Sequence, residues 1–377
     1  MRLAVVGPTH PFRGGIAHHT TLLVKHLSAR HDVLFLSFLR QYPRWLFPGR
    51  SDRDPSREPL RVDCTYALDP LNPVTWRATA QQIARSAPDG VILPWWVPFW
   101  APAWWAISRM VRRQTRARLV FLCHNVLPHE PGFWHRTAAQ AVLRAGDGFV
   151  VQSAGEAKRL RGLLPNGAEA IVRIVPHPSY AALAHGKSMT REEARAALGL
   201  PDGATVLLFF GLVRPYKGLD ILIEAMPETR SSRPAHLLVA GEWWMPKEPV
   251  LQQIADLGLR DDVTVVDRYI PNEELSCYFR AADVAVFPYR EATGSGAVQL
   301  ALGFGLPVVA SRVNGVTELL DEAYPTTLVP SGDPTALAEG IRNALRAQPP
   351  SKAFPSPESA ADSWRAMTTA LEELVRP

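Results

Sequence analysis

The chain has 377 residues, of which 47% are hydrophobic and 20% charged, a composition that excludes a disordered polymer and is long enough for two domains. Its three cysteines, Cys64, Cys123 and Cys277, are too few and too far apart for a disulfide framework or a zinc site, and they fit a reducing cytoplasm. The net charge of +5 conceals an asymmetry: residues 1–180 hold 23 Lys and Arg against 11 Asp and Glu, the remainder 18 against 25. A basic half leaves an anionic partner open, whether nucleic acid, anionic lipid or a phosphorylated substrate, and no nucleic-acid motif accompanies the charge.

The first predicted strand is Leu3–Val6, and its apolar run is too short for a signal peptide. Ile16, Thr20, Leu23 and Leu27 then recur at helical spacing from Gly15. Further strands are predicted at Val33–Ser37, Gly90–Leu93, Leu119–Cys123, Gly148–Val151 and Ile171–Val175. A loop-like stretch over 176–190 reads as a hinge. Thr190 follows as a helix cap, with Glu193 as its capping-box partner. The second half repeats the alternation, with strands predicted at Val206–Phe210, Leu237–Ala240, Val263–Val266, Val284–Phe287, Pro307–Ala310 and Thr327–Val329. Strands alternating with helices imply parallel sheets covered on both faces, hence an α/β chain of two doubly wound, Rossmann-like domains facing an interdomain cleft. The expected division is 1–180, 181–355 and a final helical segment, 356–377.

In doubly wound sheets ligands bind beyond the carboxyl ends of the strands. After the first strand, Gly14 and Gly15 open a helix, which makes either an anion site or simply a tight turn. The spacing fits neither a Walker A loop nor a G-x-G-x-x-G fingerprint, which disfavours a nicotinamide enzyme. His124 follows Leu119–Cys123 and could donate to a substrate or carry a proton, or be structural. After Val206–Phe210, Arg214 and Lys217 stand three residues apart at a loop-to-helix junction, where two cations can neutralise a pyrophosphate or form a solvated pair. After Val284–Phe287 comes "PYREATGSGAVQ". A helix beginning near Ser295 would aim the N–H groups of Gly296, Ala297 and Val298 at a phosphate. Glu291 before it and Gln299 within it could hydrogen-bond sugar hydroxyls. Together these needs fit a nucleotide sugar. Asp52-Arg53-Asp54, in a Ser/Arg/Pro-rich loop, is a weak metal motif, and no metal site is assigned.

The stretch "GVILPWWVPFWAPAWWAIS", residues 90–108, has five tryptophans and no charge. Its prolines argue against a membrane-spanning helix. A helix beginning around Pro102 would carry Trp105, Arg109, Arg112, Arg113 and Arg116 on one face, a pattern suited either to an anionic membrane surface or to plain solvation. Trp95, Trp96, Trp105, Arg109, Arg112 and Arg113 are therefore assigned to an acceptor or membrane side.

"GLVRPYKGLDILIEAM" with "PYREATGSGAVQLALGFGLPVVASRVNGVTELL" resembles the retaining GT-B glycosyltransferases of family 4, also called group 1; "CHNVLPHE" (123–130) and "GPTHPFRGGIAHHT" are similar to the same family. The resemblance implies an acceptor-binding N-domain, a donor-binding C-domain and a last helix, around Ser359–Val375, that packs back on the N-domain. It assigns Arg214 and Lys217 to the donor diphosphate, Glu291 to the first acid of the E-x7-E motif, and Gln299 to the place of the second, ribose-binding acid. It assigns Gly14 and Gly15 to a phosphate-closing loop, His124 to a cleft histidine near the sugar, and the backbone near Tyr269 and Ile270 to the base. Asn314 departs from the family's G-G-x-x-E, which Gly315 and Glu318 fit. The implied protein is a cytoplasmic retaining hexosyltransferase, either free or associated with the inner membrane face. It uses a UDP- or GDP-sugar without metal or cofactor and acts on a lipid-linked or cell-envelope glycan. A nucleotide-sugar epimerase and a non-catalytic nucleotide-sugar binding protein are the alternatives.

Overall fold

The computed structural model describes residues 1–128, 132–164, 171–184, 189–231, 233–320, 326–346 and 357–376. Residues 129–130 of the 123–130 segment, 185–188 of the hinge stretch and the domain boundary expected at 355/356 lie outside the described residues.

The chain forms two compact units. The first takes Met1–Asp54, Pro59–Pro176 and Asp362–Pro377; the second takes Pro55–Glu58 and His177–Ala361. The boundary expected at 180/181 thus falls at Pro176/His177.

The first unit is built on β1 (Arg2–Val6), β2 (Asp32–Phe38), β3 (Thr65–Leu68), β4 (Gly90–Trp95), β5 (Arg118–Cys123), β6 (Gly148–Val151) and β7 (Val172–Ile174). They form one sheet in the order β3-β2-β1-β4-β5-β6-β7, with every pairing parallel. Parallel strands covered on both faces are apolar throughout, and every residue of β4 and β6 is buried. β3 is the strand that sequence patterning did not predict: it has four residues, sits at the sheet edge and exposes Thr65 and Tyr66. Part of the C-terminal helix Pro357–Val375 belongs to this unit. Its Trp364 packs on His19 and His26 of helix Gly15–Ser28, and its Glu372 accepts from Arg30 and pairs with His31.

The second unit is built on β8 (Thr205–Phe210), β9 (Ala235–Ala240), β10 (Val263–Val266), β11 (Val284–Phe287), β12 (Val308–Ser311) and β13 (Thr326–Val329). The order β10-β9-β8-β11-β12-β13 is again wholly parallel. Helix Arg191–Leu198 opens with the expected Thr190–Glu193 capping box. In both sheets the strand order reverses once, between β1 and β4 and between β8 and β11. At such a switch point the connections leave in opposite directions and open a crevice at the strand ends.

Candidate active site

In the second unit the switch point is flanked by the loops after β8 and β11. Pro215–Lys217 makes a single 3-10 turn, and Gly218 passes the chain into helix Leu219–Arg230 at φ +68°. A Cβ there would lie 2.0 Å from the Pro288 carbonyl oxygen, so only glycine lets the two loops touch. Arg290 laces them: its backbone N–H donates to the Tyr216 carbonyl at 2.8 Å, and its guanidinium forks onto both oxygens of Asp220. Burial would raise the Asp220 carboxyl, but the Arg290 fork outweighs it and holds it below the usual range.

Arg214 and Lys217 share this crevice wall, and among the described residues neither has a carboxylate partner. Lys217 Nζ lies 5.2 Å from the centre of the Tyr289 ring and 3.2 Å from where a Cβ on Gly211 would stand. Burial lowers its pKa, and the Arg214 charge pushes the same way. The Arg214 guanidinium lies 5.6 Å from the Tyr216 ring centre and 5.7 Å from that of Trp244, with Nε buried and unbonded.

Helix Gly296–Gly303 starts at the end of the β11 loop. Its N-cap Ser295 accepts from Val298 N–H at 3.2 Å. That corrects one expectation: Val298 N–H is spent on the cap, as the N3 amide of a serine-capped helix is. The N–H groups of Gly296 and Ala297 have no partner among the described residues. Gln299 is buried, and its Nε2 donates to the His177 carbonyl at 2.9 Å. Glu291 sits half-buried in the loop. Gly315 permits close contact with that loop, since a Cβ would meet the Ala292 carbonyl oxygen at 2.5 Å; Asn314 beside it begins the short helix Asn314–Thr317. Tyr269 is half-buried and Ile270 buried, in the loop after β10 at the sheet edge.

In the first unit Gly14 holds φ +100° at the start of helix Gly15–Ser28, beyond β1. His124 directly follows β5. It is buried, its N–H donates to the Trp95 carbonyl at 2.8 Å, and its Nδ1 lies 3.4 Å from Gln152 Nε2. Its ring meets His19 edge-on at 4.7 Å, and His19 packs in turn against Trp364. In Asp52-Arg53-Asp54, Asp52 pairs with its neighbour Arg53, and Asp54 lies 3.9 Å from His18. Among the described residues no group of three or more His, Cys, Asp or Glu could hold a metal.

The tryptophan assignments need correction. Trp95 is 0% exposed, its Nε1 donating to the Val126 carbonyl at 3.0 Å; Trp96 is buried too and donates to the Tyr42 hydroxyl at 2.6 Å. Trp95 belongs to the core because β4 runs two residues further than predicted and is covered on both faces, and Trp96, the next residue, packs into the same apolar cluster. On helix Ala101–Gln114, Arg112 is tied to the Ala145 carbonyl and to Asp147, and Arg116 lies past the helix end. Trp105, Arg109 and Arg113 keep the expected outward face: Trp105 is 49% exposed, with Arg109 5.6 Å from its ring centre.

The second unit therefore brings Arg214, Lys217, Glu291, Gly296, Ala297 and Gln299 to one switch point. Sequence reasoning missed Tyr289, although it stands in the same stretch, and Trp244, which reaches Arg214 only through the pairing of β8 with β9.

Two doubly wound units, the second with a cationic, helix-capped crevice, define a class of proteins that bind anionic ligands at the strand ends. Comparison with known proteins makes it specific. Residues 14–177 match the glycosyl transferase 4-like domain and residues 204–347 the group 1 glycosyl transferases. D-inositol 3-phosphate glycosyltransferase 1 of Catenulispora acidiphila is 33% identical over 255 residues, covering 63% of this chain and 60% of that protein; the Saccharomonospora viridis D-inositol 3-phosphate glycosyltransferase is 31% identical over 252. The chain spans about 60% of the length of these curated relatives. Among solved structures, the sucrose-phosphate synthase of Thermosynechococcus elongatus (TM-score 0.67, 20% identity, 100% of this chain, 95% of that one) and Anabaena HepE with UDP and glucose (0.68, 16%, 99%, 95%) share the fold. The chain belongs to the group 1, or family 4, glycosyltransferases and has their GT-B fold of two Rossmann-like domains.

Proposed function

We propose that the chain is a retaining hexosyltransferase that takes a hexose from a UDP- or GDP-sugar and transfers it to a lipid-linked or cell-envelope glycan. The observation that carries this reading is the pair Arg214 and Lys217, un-neutralised beside the bare N–H groups of Gly296 and Ala297. A donor diphosphate gains negative charge as the glycosidic bond breaks, and fixed cations with helix N–H groups stabilise that charge without a metal being invoked. Glu291 binds the sugar, Gln299 Oε1 the ribose, and the backbone at Tyr269–Ile270 the base. Gly14 and Gly15 are read as phosphate-binding residues and His124 as a sugar-binding one, as the family resemblance assigns them. Retention follows from front-face attack within the ion pair that diphosphate departure leaves.

HepE is described with UDP-glucose, and WaaG, of the same fold, acts in lipopolysaccharide biosynthesis; both favour this donor and acceptor class. The chain is read as cytoplasmic. No helix among the described residues is long and apolar enough to cross a membrane, so contact with an anionic bilayer would be peripheral, through Trp105, Arg109 and Arg113. Flotation with anionic liposomes tests this: binding that charge reversal at Arg109 and Arg113 leaves unchanged, or no binding at all, would sink it.

The central test is nucleoside diphosphate release from UDP- and GDP-hexoses. Release that depends on added acceptor supports transfer, whereas conversion of the sugar nucleotide without acceptor would indicate an epimerase. Glu291→Ala and Lys217→Ala are each expected to lower turnover at least tenfold, the loss of a charge-assisted contact of about 1.5–3 kcal/mol. Near-normal activity in both would place the site elsewhere.

A further inference from the structure

Two arginines beside the second unit's strand ends are held by acids. Arg290 forks onto Asp220, and Arg268 pairs with Glu274. Arg214 is held differently, with no carboxylate partner among the described residues and two aromatic rings, Tyr216 and Trp244, within 6 Å of its guanidinium. The distinction is electrostatic. A carboxylate fixes a guanidinium but cancels its field. A ring face attracts the cation through its quadrupole and restricts its motion, yet leaves the net charge at +1.

We propose that Trp244 is a positioning residue, an aromatic brace that with Tyr216 orients Arg214 toward the donor diphosphate while leaving its charge intact. This rests on the reading of Arg214 as a diphosphate ligand.

Trp244 is itself built in. Its Nε1 donates to Glu242 at 2.8 Å, and Glu242 is buried. Its N–H donates to the Val213 carbonyl at 3.0 Å, while Val213 N–H donates to the Glu242 carbonyl at 2.9 Å. The residue before Arg214 is thus stitched to both neighbours of Trp243. Asp267, at the end of β10, accepts from Trp243 N–H at 3.0 Å and pairs with Lys247, which fixes the far side of the same loop. The pattern continues to the second cation. Tyr216 meets Tyr289 at 6.5 Å, Tyr289 carries Lys217 on its face, and the Tyr289 hydroxyl lies 3.3 Å from the N-cap Ser295 Oγ. With Arg214 set between Trp244 and Tyr216, a run of ring contacts leads through Tyr289 to the helix N-terminus, and both cations rest on ring faces along it. Preorganised charge of this kind needs no reordering when the anion arrives.

The test separates a ring face from mere bulk. Affinities for UDP, UMP, GDP and GMP are measured by calorimetry on the full chain and on its Trp244→Leu, Trp244→Phe and Arg214→Ala variants, with folding checked by thermal melts. Trp244→Leu is expected to weaken the preferred diphosphate about tenfold and its monophosphate less, whereas Trp244→Phe, which keeps a face, stays within about twofold. In the Arg214→Ala background Trp244→Leu should cost nothing further. Equal effects of Leu and Phe, additive losses in the double variant, or full diphosphate affinity in Trp244→Leu while Arg214→Ala loses it, would each overturn the brace. Unchanged diphosphate binding in Arg214→Ala would instead overturn the diphosphate reading of Arg214. Should Trp244→Leu fail to fold, Trp244→Phe with Tyr216→Leu gives the same comparison on the opposite ring.

Discussion

The Gln299 amide donates to the His177 carbonyl at 2.9 Å, joining the helix that caps the crevice to the first residue of the second unit's long segment. The side chain therefore has a structural partner where an acid is usual in the resembling family. A carboxylate there would face a carbonyl oxygen with no proton to share. Gln299→Glu is expected to destabilise the protein by about 1–3 kcal/mol, the cost of an unsatisfied buried group, and to leave nucleotide affinity no tighter. Denaturant midpoints with calorimetric nucleotide titration check this; an unchanged midpoint with tighter binding would mean that the amide is a weakened ligand rather than a tie.

His177 supplies a pH dependence of its own. Burial pushes its pKa down to about 4, only partly opposed by the bond from Nδ1 to the Pro178 carbonyl at 2.9 Å. Between the ordinary value of about 6.5 and about 4 the unfolded chain binds a proton that the folded chain does not, so stability falls as pH drops through that window. The loss amounts to about 3 kcal/mol when complete. Chemical unfolding from pH 7.5 to 4 should show that slope, and His177→Phe, which keeps a ring against Tyr180 but cannot titrate, should flatten it.

The two alternating sheets were legible in the sequence because β8 to β13 and most of the first sheet are short apolar runs between turn residues. β3 was not, since a four-residue edge strand with two exposed positions carries little pattern. Trp95 and Trp96 were misread for a related reason: a buried strand with the core residue that follows it and a membrane-facing segment are both uninterrupted apolar runs, and composition cannot separate them. At the site, Arg214, Lys217, Glu291 and the helix start at Ser295 were visible as local motifs. The Ser295 cap that takes Val298 N–H stands at legible N-cap spacing, whereas the fate of the Gln299 amide was decided by a partner 122 residues away in sequence.

The corrected tryptophans can be told apart by stability. Trp95 lies wholly within the core, so Trp95→Ala should cost about 3–5 kcal/mol or abolish soluble expression. Trp105 is half exposed, and Trp105→Ala should change stability by no more than about 1 kcal/mol while weakening any liposome binding. Urea unfolding of both variants settles the contrast; comparable losses would place Trp105 in the packed interior as well.

Lys217 should give nucleotide binding an alkaline limb. Burial, reinforced by Arg214, holds its pKa below the ordinary 10.5. As pH rises through that lowered value the folded protein loses the ammonium and with it the contact to a phosphate, so affinity for UDP or GDP should fall before pH 10.5. The unliganded protein should respond in the opposite direction. In the same window the unfolded chain still holds the proton, so stability rises with pH. Lys217→Met removes both dependences: its affinity is lower by at least tenfold at pH 7, in line with about 1.5–3 kcal/mol for a charge-assisted bond, and its pH profile lacks the Lys217 limb. Calorimetric titrations from pH 7 to 10.5 on the parent and the variant isolate this group. A parent affinity that stays flat across that range, or falls in parallel with the variant's, would show that the Lys217 ammonium does not face the bound anion.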